Sequence, residues 1–277
     1  MIDVILDTLL DSVKLLPFLF LAFLLIELFE HKFSNKTKKM ISKSGKMGPL
    51  FGSLFGLLPQ CGFSVLGTNL YISRVISLGT LISIYLATSD EMLPVMLSQG
   101  FEGTGIIKIL AVKFAIGLMA GFVIDLIFKK KEKANYHICE EEHCHCEDNL
   151  FLSSLKHTFN TLFFIFIATF ILNTLIFYIG EDNISKVFLK DSFFAPFLAS
   201  LIGLIPNCSA SVILTELYLK GALSFATAVA GLLTGSGVSL LVLFKSNKNL
   251  KEIVKIVALI YLIGAFSGII IEIIRLF

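Results

Sequence analysis

The stretch Pro59-Gln60-Cys61-Gly62-Phe63-Ser64 interrupts an apolar segment that runs from Met47 to Tyr71. Proline removes a helical donor and glycine relaxes the backbone. Glutamine, cysteine and serine add polar or reactive groups. At membrane depth such a break is tolerated only where it packs against protein or lines a wet cavity. The chain then repeats it as Pro206-Asn207-Cys208-Ser209-Ala210-Ser211, again inside an apolar segment. Two interrupted hydrophobic segments at corresponding places in two halves point to a transport site.

The register extends outward from these two stretches. At a constant spacing of 147 residues, Pro49, Ser53, Gly56, Pro59, Cys61, Ser64, Thr68 and Tyr71 meet Pro196, Ser200, Gly203, Pro206, Cys208, Ser211, Thr215 and Tyr218. Further on, Gly117, Gly121 and Asp125 meet Gly264, Gly268 and Glu272. Shared apolar bias can match leucine with leucine. It does not match proline, cysteine, tyrosine and glycine in register, so the chain reads as a duplication.

Of the 277 residues, 56% are hydrophobic and only 16% charged, against about 25% charged in soluble domains. Mean hydropathy is +0.86. This is the composition of an integral membrane protein. Met1 is followed by Asp3, Asp7 and Asp11 rather than a basic region, so the first apolar segment is expected to stay as a membrane helix rather than be cleaved. The fold class expected is all-α, a polytopic membrane protein of two inverted repeats with broken or re-entrant helices and about eight to ten membrane segments. The boundaries expected are membrane repeat one at 1–130, a cytoplasmic His/Cys/acid-rich linker at 131–154 and membrane repeat two at 155–277.

Lysine placement gives the inversion. The loops with Lys32 to Lys46 and Lys129 to Lys133 are basic and expected inside, while the turn with Glu102 is acidic and expected outside. In the second half the turn Glu181–Asp191 is expected outside, and the turn with Lys245, Lys248, Lys251 and Lys255 inside. Equivalent loops then lie on opposite faces. A full span needs roughly 20 apolar residues, and Met47 to Leu97 holds two such lengths. The expectation is two half-helices meeting at Pro59–Gly62, followed by a crossing interrupted near Asp90.

Several groups of residues could carry chemistry. Cys61 and Cys208 are repeat equivalents expected near the midplane; thiolates favour soft ions such as As(III), Cu(I), Zn or Cd and suit Mn poorly. Read blandly, each is a small packing residue. Pro59, Gln60 and Ser64 flank the first cysteine, and Pro206, Asn207 and Ser211 the second. Ser89, Asp90 and Glu91 lie in another apolar stretch, and carboxylates there default to function; the alternative is an external loop. The second half keeps the serine, as Ser236, and loses both acids. Glu216 is a candidate second intramembrane acid. Asp125 and Glu272 fall near the ends of equivalent spans and read as interfacial. His157, Asn160 and Asn173 are weaker candidates.

Glu27, Glu30 and His31 share one helical face and are a candidate metal access site, or ordinary polar residues at a helix end. The tract holding His137, Cys139, His143, Cys144, His145 and Cys146 has a metal-binding composition. It lacks the paired spacing of a structural zinc site. A flexible collector or sensor of metal fits it, as does a solvated acidic linker.

With these residues in hand, the chain resembles a prokaryotic family of heavy-metal exporters with about ten membrane segments. Its members are labelled arsenic efflux permeases or manganese transporters. The resemblance rests on Leu15-Leu16-Pro17-Phe18-Leu19-Phe20, Glu30-His31-Lys32, the two proline-cysteine stretches, Thr88-Ser89-Asp90-Glu91-Met92-Leu93-Pro94 and Leu155-Lys156-His157-Thr158. It implies export and leaves the ion open.

The expected function is a secondary transporter that exports Mn(II) or an arsenic species across the inner cell membrane. No Walker motif is present, so an ion or proton gradient is the expected drive, with Asp90, Glu91 or Glu216 as proton carriers. No permanently bound cofactor is expected. The expected partners are the transported metal ion and the lipid bilayer, with no nucleic acid. Two other classes stay in view. One is a membrane-embedded metal-dependent enzyme, against which stands the lack of a histidine in the apolar core. The other is a metal sensor, which would need no duplicated helix breaks.

Overall fold

The structure is a computed structural model. It describes residues 47–58, 61–89, 92–128 and 194–274, with Cys61 as backbone alone, and scattered helical positions within 9–24 and 155–174. Among these residues everything regular is helical. The first half contributes α1 (Gly48–Gly56), α2 (Cys61–Ile72), α3 (Leu78–Ala87), α4 (Met92–Ser98) and α5 (Gly103–Ile127). The second contributes α6 (Ala195–Gly203), α7 (Cys208–Leu219), α8 (Phe225–Thr234), α9 (Ser239–Ser246) and α10 (Leu250–Ile274). Every bound recurs at the spacing of 147 except the end of α9, which runs one residue further. The duplication read from side chains is thus also a duplication of helix starts and stops.

Local chemistry fixes these bounds. Pro49 and Pro196 sit in the first turns of α1 and α6, where a missing N–H is harmless. The Ser77 and Ser224 side chains accept from the N–H groups of Thr80 and Thr227 and cap α3 and α8. Asn207 caps α7 through Ser209 N–H. The first break falls earlier than the sequence suggests. α1 ends at Gly56 and α2 begins at Cys61, so Gly62 is already inside the second helix. The equivalent residues 204–207 show why: Pro206 precedes the capping residue, where it need not donate, and glycine or serine after the cysteine continues the helix.

Within each half three helices pack closely through small residues. α1, α3 and α5 form one group, and α6, α8 and α10 the other. A Cβ added at Gly121 would stand 2.7 Å from Gly79 O, and one at Gly203 would stand 2.1 Å from Gly231 O. Glycine at these crossings lets the backbones touch, as helix packing in lipid requires. α1 runs alongside α3 in the same direction, with Gly48 against Thr80 and Gly56 against Ala87. Asp125 near the end of α5 accepts from Ser77 Oγ at 2.7 Å and Gly79 N at 2.9 Å. Its equivalent Glu272 accepts from Ser224 Oγ at 2.9 Å. Each acid therefore ties the end of a long helix to the start of the central one.

α3 and α8 are buried along almost their whole length. α5 and α10 instead present Met119, Val123, Leu126, Leu262, Phe266 and Ile270 outward, as a lipid-facing surface would. Gly103–Ile127, Phe225–Ser246 and Leu250–Ile274 are long and apolar enough to cross a membrane. The halves join reciprocally. α2 packs on α9, α7 packs on α4, and α3 touches α8. Equivalent helices of the two halves thus exchange equivalent contacts.

Candidate transport site at the paired helix breaks

α3 stops at Ala87 and α4 begins at Met92; α8 stops at Thr234 and α9 begins at Ser239. These two interruptions are repeat equivalents. α3 and α8, the helices that end at them, pack on each other. The last carbonyls of a helix have no intrahelical donor and carry the negative end of its dipole. They need either hydrogen-bond donors or a positive charge.

One lysine supplies both. Lys113 lies deep inside the apolar helix α5, with only 1% of its surface exposed. Its Nζ donates to Thr88 O, the cap of α3, and at 2.7 Å to Leu232 O in the last turn of α8. An ammonium thus sits where helix C-termini from both halves converge. Ionisable groups at such depth are rare, and they mark ion or substrate pathways. Nothing in the second half repeats this residue, because Lys113 is matched by buried Ile260.

Hydroxyls crowd the same level. Thr88 Oγ1 donates to Ile84 O at 2.7 Å, and Ser89 Oγ to Ala87 O at 3.1 Å. Thr234 Oγ1 donates to Ser200 O at 2.8 Å. Ser239 Oγ donates to Ser236 O, while Ser236 Oγ is buried with no hydrogen-bond partner among the described residues. A buried hydroxyl left without a partner is costly. Tyr85 Oη and Thr68 Oγ1 are 2.6 Å apart, and Thr68 Oγ1 lies 2.8 Å from Ser64 O. Asn69 Nδ2 and Ser53 Oγ are likewise buried without partners among the described residues.

The residues singled out from sequence distribute unevenly. Ser211 is buried, and its Oγ would stand 3.0 Å from a Cβ at Gly235, so it abuts the second break. Asn207 and Cys208 are buried, and Pro206 is partly so. Cys208 belongs to a small cluster with Val65 of the first half and Val238, Leu241 and Val242 of the second. Val65 stands one helical turn after Cys61, so the start of α7 approaches α2 across the join. Ser64 in the first turn of α2 and Ser89 just past the end of α3 are both buried. Glu216 pairs with Lys220 at 3.1 Å on a partly exposed helix face.

Pro59, Gln60, the Cys61 side chain, Asp90, Glu91, Glu27, Glu30, His31, His157, Asn160, Asn173 and the linker tract from His137 to Cys146 lie outside the described residues. Among the described residues, no three His, Cys, Asp or Glu side chains converge. The features that sequence reasoning passed over are Lys113 and Tyr85. Lys113 carried a signal: it is a lone charge between Ile109 and Ile124.

The sequence profile of one family, described as "Putative, 10TM heavy-metal exporter", matches residues 1–180 and again residues 147–276. Neither a curated protein nor a solved structure matches the chain.

Proposed function

The chain belongs to this ten-span heavy-metal exporter family and is a multi-pass membrane protein, and from that premise we propose that it exports a metal cation through the paired helix breaks. The observation that carries this reading is that two helices broken at equivalent places pack on each other, with C-terminal carbonyls of both held by one Lys113 ammonium that a cargo cation would displace. Carbonyl ends of discontinuous helices are what transporters aim at cations. Main-chain and hydroxyl oxygens are hard ligands, and with Asp90 and Glu91 next along the chain they suit Mn(II). A gradient of protons or other ions supplies the drive, with Asp90 and Glu91 as the carriers.

A second reading, export of an arsenic species or another thiophilic ion, draws on Cys208. Its burial beside Val65 sets a thiol at the join of the halves.

The architecture we propose for this task is a pair of inverted repeats with α1–α2 and α6–α7 as re-entrant hairpins. Three packing facts support it. α1 starts beside the start of α3, and only residues 73–77 separate the end of α2 from the same place. The end of α5 meets the start of α10, with Lys255 Nζ 3.4 Å from the centre of the Phe128 ring. The end of α2 also meets the start of α10, through Arg74 and Glu252. Opposite ends of the two halves therefore share a face. By the lysine rule that face is cytoplasmic.

Purified protein in liposomes, offered Mn(II), Zn(II) and arsenite in turn, tests the reading. Gradient-driven accumulation of Mn(II) that survives Cys208→Ser supports the oxygen site. Accumulation of arsenite or Zn(II) that Cys208→Ser abolishes supports the thiol. Accumulation of none of them overturns transport.

A further inference from the structure

The halves meet at two equivalent junctions, and their chemistry differs. At the first, the end of α2 meets the first turn of α10. Tyr71 Oη donates to Glu252 Oε1. Arg74 donates to both carboxylate oxygens, at 2.8 and 3.1 Å, and Asn247 Nδ2 donates to Oε2 at 3.3 Å. The guanidinium also lies 5.4 Å from the centre of the Tyr71 ring. At the second junction the end of α7 meets the turn that leads into α5. Tyr218 occupies the place of Tyr71, but its ring meets Phe101 edge-on at 5.9 Å and Phe225 at 6.3 Å. Gly221 stands for Arg74, and Gly105 for Glu252.

Backbone geometry makes the substitution of Arg74 for glycine informative. Gly221 has φ +69, where glycine is unstrained. Arg74 has φ +58, alone among the described non-glycine residues in this region. Strained positions of this kind persist where the surroundings over-determine them, often at clamps and switches. Here the strained turn aims a guanidinium of one half at a carboxylate of the other.

We propose that Tyr71, Arg74 and Glu252 form a latch that closes the transport path on the lysine-rich face, while Phe101, Tyr218 and Phe225 close the opposite face. The proposal rests on the transport reading above. The ion pair is part-exposed, with 28% and 15% of the two side chains accessible. Such a pair adds little net stability, because water replaces each partner readily. It can open and reclose repeatedly without dismantling a core. The aromatic junction loses apolar burial when it opens, so the two closures respond to different perturbations.

Hydrogen exchange on the full-length protein in lipid nanodiscs, read peptide by peptide, tests this. Glu252→Gln and Arg74→Gln are each expected to speed amide exchange at residues 70–77 and 247–254 about tenfold or more, the double variant being no worse than either single because the groups act as one unit. Residues 99–105 and 218–225 should exchange as in the wild type, and protection along 256–270 reports that the variants are folded. In liposomes, Glu252→Gln should lower the net rate at which Mn(II) is concentrated. Unchanged exchange at 70–77, equal loosening at both junctions, or a loosened junction with wild-type Mn(II) transport would each overturn the latch. A wild-type protein that moves none of Mn(II), Zn(II) or arsenite overturns the transport reading instead, and with it the latch's role as a gate.

Discussion

The two central breaks fall at equivalent places between helices and hold different residues. Residues 88–91 and 235–238 interrupt equivalent helices at equivalent places, yet the first is matched with Tyr85, Asp90, Glu91 and Lys113, and the second with Leu232, Gly237, Val238 and Ile260. The duplication fixed where helices end. It left the charges to one half. A physical reason lies in the packing of α3 on α8. The breaks are neighbours, so a charge added by one half already serves both. Lys113 demonstrates this by bonding a carbonyl from each.

Restoring symmetry should therefore be the most damaging change. Ile260→Lys puts a second ammonium into the same buried region, facing Tyr85 O and Gly235 O by repeat equivalence. A buried charge without a counter-charge costs roughly 3–5 kcal/mol, a large part of the stability of a typical domain. Detergent-extracted Ile260→Lys is expected to elute as aggregate, or to melt far below the wild type. A monodisperse protein with wild-type Tm would mean that the breaks do not share one cationic site.

Removing the asymmetry from the other side should be milder for stability and severe for transport. Lys113→Met matches the apolar character of Ile260, so the fold has a precedent for it. It leaves Thr88 O and Leu232 O without their donor, which costs about 1–3 kcal/mol for each buried group that water does not reach. We expect a lowered Tm, a monodisperse protein and no gradient-driven Mn(II) accumulation in liposomes. Wild-type accumulation would reduce Lys113 to a structural tie.

What was legible in the sequence follows the same division. Proline, glycine and cysteine in register announced the helix breaks, because those residues act on the backbone within a turn of where they sit. The capping serines Ser77 and Ser224 are local for the same reason. Lys113 was hidden inside a span that averages as strongly apolar, since one charge barely moves the mean over 25 residues. Its partners are remote in sequence, 25 and 119 residues away, and no local rule reaches them. Glu216 drew attention as an acid in an apolar segment. Its i,i+4 neighbour Lys220 was also on the page, and a helix-surface pair of that spacing is a local reading too.

Asp90 sharpens the comparison at smaller scale. The equivalent Gly237 has φ +56, a conformation that aspartate tolerates better than most residues. Asp90→Asn is expected to lower Mn(II) export about tenfold or more and to alter its pH dependence. Adding Gly237→Asp should recover part of the rate if the two breaks share a cavity. Wild-type rates across pH in Asp90→Asn would leave the acid as a loop residue, and a complete failure of Gly237→Asp to rescue would separate the two breaks functionally.

The smallest effect on stability is expected at Arg74, and that smallness is the point. Arg74→Gly copies Gly221 into the first half. It loses a part-exposed ion pair, about 0–1 kcal/mol. It relieves a left-handed residue of about 1–2 kcal/mol of strain. It also loosens the unfolded chain, which returns about 0.4–1 kcal/mol in the other direction. These terms nearly cancel, so Tm should stay within a few degrees of the wild type. A cluster kept for stability would not be built this way, and a Tm fall of more than about 10 °C, equivalent to several kcal/mol, would show that the latch holds the fold together. The reverse copy is closed by sterics rather than energy. A glutamate at Gly105, the equivalent of Glu252, would place its Cβ 2.5 Å from a Phe101 ring atom. An ionic partner at the aromatic junction would therefore require the Phe101 ring to shift, which disturbs its packing against Tyr218.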